Sequence, residues 1–456
     1  MLPGTPPAQA AIEIARKLQQ AGFEALLAGG CVRDLLLGRE PKDYDVATSA
    51  HPAQVMDIFP RSFGVGAHFG VVLVETEQDD ERVVTEIATF RSDDSYSDGR
   101  RPDAVHYTQS AEEDARRRDF TINGLFLDVE RAAQNLRDAV LDFVDGLADL
   151  DTRVVRAIGA AEQRFTEDHL RLLRGVRFAA RLGFGIEDHT QTVMRSMAPS
   201  LSRVSRERVR DELTGMLTDG AARRAFELLA ETGMLAIVLP EAERMRGVEQ
   251  PVEFHPEGDV WEHTLRLLDQ LEQGCNATLA WGALLHDVGK PATFRCAPDR
   301  IRFDGHVEVG VLIAEEIAQR LRFSNNDTAL IAALVANHMR FSDVMRMKDS
   351  TLMRFFRLER FAEHLALHRM DCLASHGKLN NWEYAKQRWE QLPEAAIRPA
   401  RLVTGRDFIA AGFAPGPLFS AVLQTVEDAQ LEGVVTTREA ALELALNCLR
   451  AGELHG

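Results

Sequence analysis

Ala28-Gly29-Gly30-Cys31-Val32-Arg33-Asp34-Leu35-Leu36-Leu37-Gly38, followed by Asp43-Tyr44-Asp45, is the stretch on which the fold turns. The apolar run Ala25 to Ala28 reads as a short strand, the glycine pair as a tight turn, and Val32 to Leu37 as the opening of a helix. Free amides at such a helix start suit a triphosphate, with Arg33 close to it. Side chains at i and i+2 of a strand share a face, so Asp43 and Asp45 are expected to project together, within reach of two Mg2+ ions about 4 Å apart. Neither half decides the matter alone, since a Gly-Gly turn is most often loop chemistry and Asp-x-Asp most often a solvated turn. Together, in this order, they imply nucleotidyl transfer.

The rest of the chain bounds this reading. With 456 residues and 45% hydrophobic content, several cores are within reach, and length suggests about three domains. No apolar run approaches the roughly 20 residues that cross a bilayer, and Met1-Leu-Pro-Gly-Thr-Pro-Pro lacks the blocks of a signal peptide, so a cytoplasmic location without membrane contact is expected. The five cysteines are scattered, odd in number and without a CxxC pair, which argues for reduced thiols. A net charge of −17 opposes binding to nucleic acid. Arginine clusters at 116–118, at 171, 174, 177 and 181, and at 203, 206, 208 and 210 could still lay a basic track on an acidic body. The cluster at 203–210, taken alone, reads first as a solvated helix face.

Apolar spacing predicts a helix over 8–21 and strands at 25–28, 43–47, 69–75 and 82–90, a small α/β head. From about 157 the pattern turns helical, through 170–180, 206–217 and 223–235. Pro240, Gly247, Pro251, Pro256 and Gly258 mark a linker. Helices at 261–272, 278–287, 308–321, 327–338 and 360–375 follow, and a last segment from about 380 carries a helix at 418–431 after the turn Gly412 to Pro417.

Four ordered motifs make the first 220 residues resemble the class II tRNA nucleotidyltransferases and their bacterial poly(A) polymerase relatives. They are Gly29 to Asp45; Arg117-Arg118-Asp119-Phe120-Thr121-Ile122-Asn123; Asp145 to Leu150; and Glu167-Asp168-His169-Leu170-Arg171, continuing to Phe178. The resemblance implies an α+β protein, a nucleotidyltransferase head followed by an all-helical body. It implies that Asp43 and Asp45 bind catalytic Mg2+, with Glu86 as a third carboxylate. Gly29, Gly30, Arg33 and Arg118 would hold the triphosphate, Asp119 and Asn123 would lie at the ribose, and Arg174 would join the nucleotide site. Asp168 and Arg171, three apart and read as one helix face, could offer acceptor and donors that imitate a pairing base and so choose C or A without a nucleic-acid template. The bland alternative is a surface i,i+3 ion pair. Gly124 departs from the family, which usually has Ala after the Asn, and is expected to loosen a helix start by up to about 1 kcal/mol.

The segments 64–70 and 90–102 look like those of enzymes that add all of C, C and A, which makes tRNA, CTP and ATP the expected partners. A-only addition, poly(A) synthesis and metal-dependent phosphate hydrolysis at RNA ends are the alternatives. No protein partner is expected. The residues His263, His286, Asp287, His306, His338 and Asp371 resemble the ligand pattern of the HD phosphohydrolase domain in its two-metal form, with a divalent transition metal implied. The bland reading is a helical spacer that retains a few histidines. The expected domains are 1–155, the head; 156–245, a neck for base selection and RNA binding; 255–376, the HD domain; and 380–456, a helical tail.

Overall fold

The computed structural model describes residues 2–64, 70–78, 81–93, 105–251, 253, 255–298 and 300–453. Much of the two segments that favour full CCA addition, 65–69 and 94–102, lies outside the described residues. The chain divides into two compact units, Met1–Glu243 and Arg244–Gly456.

The first unit opens with the helix Pro6–Gln20, whose first-turn prolines occupy positions that need no N–H. Its buried Ala8, Ala11, Ile14, Ala15 and Leu18 recur at helical spacing and press on one side of the sheet. The strands are β1 (Ala25–Ala28), β2 (Asp45–Thr48), β3 (Ser62–Gly64), β4 (Val71–Gln78), β5 (Glu81–Thr89), β6 (Arg91–Asp93), β7 (Val105–Tyr107), β8 (Leu125–Leu127) and β9 (Val140–Asp142). Seven of them form a sheet in the order β3-β4-β5-β2-β1-β8-β9, while β6 and β7 pair as a separate antiparallel ribbon. Both faces of β1 are covered: Ala25 and Leu27 join the core beneath the first helix, and Leu26 and Ala28 join Phe90, Ala115 and Phe126 on the other side. This double burial explains why β1 reads as an unbroken apolar run rather than an alternation. β2 runs parallel to β5, pairing Val46 with Ile87, so Asp45 and Glu86 each stand one residue before that pair. The expected strand 43–47 begins only at Asp45. Asp43 precedes it, and buried Tyr44 separates the two acids.

The helix Gly30–Leu36 follows β1 directly, and the helices Ala161–Glu167, Arg171–Leu182, Asp188–Met197, Arg206–Thr218 and Ala222–Glu231 make up most of the rest of this unit. No helix starts at Gly124, which ends the short 3-10 turn Thr121–Asn123 and leads into β8, so the expected loosening of a helix start does not arise. A Cβ built there would stand 2.6 Å from Val144 Cγ2 and 3.3 Å from Ile158 Cδ1, so neighbouring side chains already fill the space of a methyl group.

The second unit is helical, with Val260–Leu268, Ala277–Leu285, His306–Arg320, Asn325–Asn337 and Phe361–Ala374 close to their expected spans. Ala277–Leu285 is apolar all round and almost wholly buried, as a central helix must be. An aromatic cluster of Phe341, Phe355, Phe356 and Phe361 forms a second core, and the tail helices Pro417–Leu431 and Arg438–Glu453 close their own small core around Phe408 and Val422.

Candidate functional site

A cleft of about 720 Å³ in the first unit is lined by Gly29, Gly30, Arg33, Asp43, Asp45, Glu86, Arg118, Asp119, Asn123, Asp168, Arg171 and Arg174. Thus all of the head and neck residues singled out from sequence meet around one space, of a size that suits a nucleotide. Nine arginines and Lys42 face seven carboxylates along its walls, a local positive excess in a chain of net charge −17.

Gly29 makes the turn at φ 72°, and a Cβ there would stand 2.8 Å from Arg118 Nη1. Arg118 lies over the Phe126 ring at 4.8 Å and donates to Asp114 Oδ2, while Arg117 donates to Asp114 Oδ1. Burial would raise the Asp114 carboxyl, but these two guanidinium groups hold it below the usual range. Asp45 moves the other way. Burial, then the charge of Glu86, then that of Asp43, overcome Arg118 and push it up to about 6. Three carboxylates gathered at the open side of the cleft, two of which raise the third, are a donor set that fits divalent cations.

Behind them runs a chain of polar contacts. Arg33 is buried; it pairs with Asp34 and donates from Nη1 to Asn123 Oδ1 at 2.6 Å. Asn123 Nδ2 donates to Asp119 Oδ1 at 3.1 Å, and Arg174 Nε donates to Asp119 Oδ2 at 2.8 Å. Burial opposes the charge on Asp119, yet Arg174, the Asn123 hydrogen bond and Arg171 bring its carboxyl down to about 2. Arg33, expected at the triphosphate, lines the cleft and also fastens Asn123.

Asp168 and Arg171 do not share a helical face. Asp168 closes the helix Ala161–Glu167 in an extended conformation, φ −148° and ψ 105°, and Arg171 opens the next helix. The i,i+3 premise fails for that reason, and each residue has its own holder. Arg208 grips Asp168 with both prongs, at 3.1 and 2.7 Å, and Glu167 accepts from Arg171 Nη1 at 2.6 Å. Reading 203–210 as a solvated face thus missed Arg208, and Glu167 was passed over beside its neighbour. Spacing holds no signal for a pair forty residues apart.

In the second unit, His263, His286, Asp287, His306, His338 and Asp371 converge as well. His286, His306 and His338 donate Nδ1–H to the carbonyls of Ala283, Phe303 and Val335 at 2.9, 2.9 and 2.7 Å. A carbonyl can only accept, so each Nε2 carries a lone pair. Those nitrogens converge on shared partners: His263 Nε2 is 3.2 Å from His286 Nε2 and from Asp371 Oδ1, and His306 and His338 Nε2 lie 3.8 and 3.7 Å from Asp287 Oδ1. The Nε2 atoms of His306 and His338 are buried without a hydrogen-bond partner. Lone pairs around shared carboxylates suit divalent ions, with Asp287 between two groups of ligands. Lys290 Nζ, 2.7 Å from Asp287 Oδ2, fixes that carboxylate. The charges diverge accordingly: burial pushes His338 down to about 4, whereas hydrogen bonds to Asp371 and Glu257 drive His263 up to about 9 against burial. Sequence reading missed Lys290 and Glu257, which carry no ligand spacing.

Family models match in three places: the poly A polymerase head domain over residues 25–156, the probable RNA and SrmB-binding site of polymerase A over 183–245, and the HD domain over 259–374. The CCA-adding enzyme of Leuconostoc mesenteroides is 32% identical over 434 residues, covering 94% of both chains. The chain belongs to the CCA-adding enzyme family. It is accordingly a nucleotidyltransferase, with a mixed α/β head, a helical body and an HD domain. Another CCA-adding enzyme, from Lactobacillus gasseri, is 31% identical over 96% of this chain and 97% of its own. The crystal structure of the Bacillus stearothermophilus CCA-adding enzyme in complex with CTP is 28% identical and superposes with a TM-score of 0.73, covering 99% of this chain and all of that one. The Thermotoga maritima CCA-adding enzyme complexed with tRNA, at 17% identity and a TM-score of 0.57 over 98% of this chain and 96% of that one, shares the fold. No helix among the described residues is long and apolar enough to cross a membrane.

Proposed function

We propose that this enzyme adds CCA to tRNA 3′ ends from CTP and ATP, in the cytoplasm and without a nucleic-acid template. The carrying observation is the arginine-lined cleft in which Asp43, Asp45 and Glu86 gather while Asp168 and Arg171 stand in the same wall. The chain is read as four parts: the head 1–155, the neck 156–245, the HD domain 255–376 and the tail 380–456.

In the reaction the RNA 3′-oxygen bonds to the α-phosphorus, and the bond to the β-phosphate bridge breaks to release pyrophosphate. A pair of Mg2+ ions held by Asp43 and Asp45, with Glu86 beside them, would lower the pKa of the 3′-hydroxyl and screen the leaving charge. Arg118 borders the triphosphate from the turn at Gly29 and Gly30, while Arg33 keeps Asn123 in place next to Asp119 at the ribose. Arg174 closes that corner by holding Asp119 ionised. Asp168 has acceptor capacity left for an exocyclic amine, and Arg171 supplies a donor for the neighbouring ring nitrogen, the two features that C and A share along their pairing edges. The protein rather than an RNA template would then carry the selection of C and A over U and G.

Incubation with tRNA lacking its terminal trinucleotide and labelled CTP, ATP or both tests the proposal. Elongation by three nucleotides with both is expected; ATP-only elongation or an open-ended A tail would overturn the CCA reading. Asp43→Ala with Asp45→Ala should abolish incorporation, and residual wild-type incorporation would refute the metal assignment. The buried histidine cluster supports a second activity in the HD domain, metal-dependent hydrolysis of a phosphate at RNA ends, carried by a divalent transition metal at His263, His286, Asp287, His306, His338 and Asp371. Phosphate release that persists in the Asp43/Asp45 variant and stops in Asp371→Asn is its test.

A further inference from the structure

Three of the four clustered imidazoles are held through Nδ1 by main-chain carbonyls, but His263 is held by a carboxylate. Glu257 Oε1 accepts from His263 Nδ1 at 2.7 Å and from His255 Nδ1 at 2.9 Å. Its side chain is fully buried, and its second oxygen, Oε2, has no hydrogen-bond partner. Glu363, a buried carboxylate in the same unit, is served quite differently: Asn276 and Arg360 donate to one oxygen and Thr278 to the other. A carboxylate taken out of water for two imidazole contacts, with one oxygen left over, is costly as a structural prop.

Spacing separates two roles that Glu257 could fill. Ligand atoms around one tetrahedral ion, each bonded at about 2.0–2.1 Å, stand roughly 3.3 Å apart. His263 Nε2 to His286 Nε2, His263 Nε2 to Asp371 Oδ1 and His286 Nε2 to Asp287 Oδ2 are all 3.2 Å, which fits such an ion. The contacts at Glu257 Oε1 are shorter and fit a shared proton instead. His255, Glu257 and His263 also lie close enough together to be considered as ligands of an ion of their own, but that arrangement would need the Nδ1 that is already hydrogen-bonded.

We infer that Glu257 is a positioning residue for the HD metal: by accepting Nδ1–H it fixes the His263 tautomer, turns Nε2 toward His286, Asp287 and Asp371, and makes that nitrogen a stronger donor to the ion. The inference rests on the reading of this cluster as a metal site. His255 shares the oxygen and restrains Glu257.

Cobalt(II) titration of the full-length, metal-stripped protein tests it, in an Asp43→Ala/Asp45→Ala background that silences the head. The protein should bind Co2+ through His263, with binding lost in His263→Ala. Glu257→Gln should bind tenfold to a hundredfold more weakly with a shifted visible band, while its metal-free thermal midpoint stays within a few degrees. Equal affinity and an unchanged band in Glu257→Gln would overturn the role of Glu257 and leave the metal site standing. Absence of His263-dependent binding in the unsubstituted cluster would overturn both. A second measurement needs no substitution in the cluster: with 113Cd2+ and 15N-labelled histidine, coupling should appear at His263 Nε2 with the proton on Nδ1. Coupling at Nδ1 would assign the ion to the His255 side and overturn the inference.

Discussion

Arg208 changes what Asp168 can do. A free carboxylate on a mobile loop could rotate to meet many donors, but a fork that takes both oxygens leaves it one orientation and one set of open lone pairs. Glu167 performs the matching task for Arg171, whose Nη2 also donates to the Arg117 carbonyl at 3.1 Å. Base choice in this reading depends on two residues that need not touch the base at all. Arg171→Ala is expected to blur the choice of CTP and ATP over UTP and GTP more than it weakens triphosphate binding. Arg208→Ala should lower kcat/KM for both nucleotides by roughly tenfold or more, since hydrogen bonds to a charged group contribute about 1.5–3 kcal/mol. Steady-state incorporation with each nucleotide checks both variants; unchanged constants in Arg208→Ala would remove it from the site's supporting network.

The helix Phe361–Ala374 buries His364 and His368 on its inner side. His368 stacks flat on Phe341, with ring centroids 4.4 Å apart. Burial, helped by the charge of Arg340 at His364, pushes His364 from the usual 6.5 to about 4, and burial, against Asp371 and with His376, does the same to His368. Both imidazoles therefore stay neutral in the folded unit while the unfolded chain binds protons. The stability that depends on their neutrality is fully present above about pH 6.5 and declines as pH falls toward 4, at about 1.4 kcal/mol per pH unit for each. Urea midpoints of the wild type and His364→Leu between pH 5 and 7 should diverge toward acid, with the variant falling less steeply; parallel curves would refute the assignment. In the head, Gly124→Ala should destabilise by about 1–3 kcal/mol because Val144 already occupies the methyl's place. Adding Val144→Ala should recover part of that loss in thermal melts, a coupling that an effect on helix propensity alone would not produce.

The two compact units divide the chemistry between them, the cleft in Met1–Glu243 and the histidine cluster in Arg244–Gly456. Asp371→Asn is accordingly expected to leave nucleotide incorporation within about twofold while stopping phosphate release, and a large loss of incorporation would show that the units depend on each other energetically. Amino-acid sequence alone determined the longer elements and put forward the candidate groups, because those signals are local: a glycine pair before a helix, acids two apart, apolar residues at a period of 3.6, histidines in or beside helices. The strands β3, β6, β7, β8 and β9 escaped because three-residue strands are too short to show a period. Tertiary structure alone decided how the charges are matched. Arg33 meets Asn123 across ninety residues, Arg208 meets Asp168 across forty, and nine arginines collect in one cleft of an acidic chain. A guanidinium has no preferred partner until folding sets which carboxylate lies within reach and how little water remains between them, and that distance and desolvation exist only in the folded molecule.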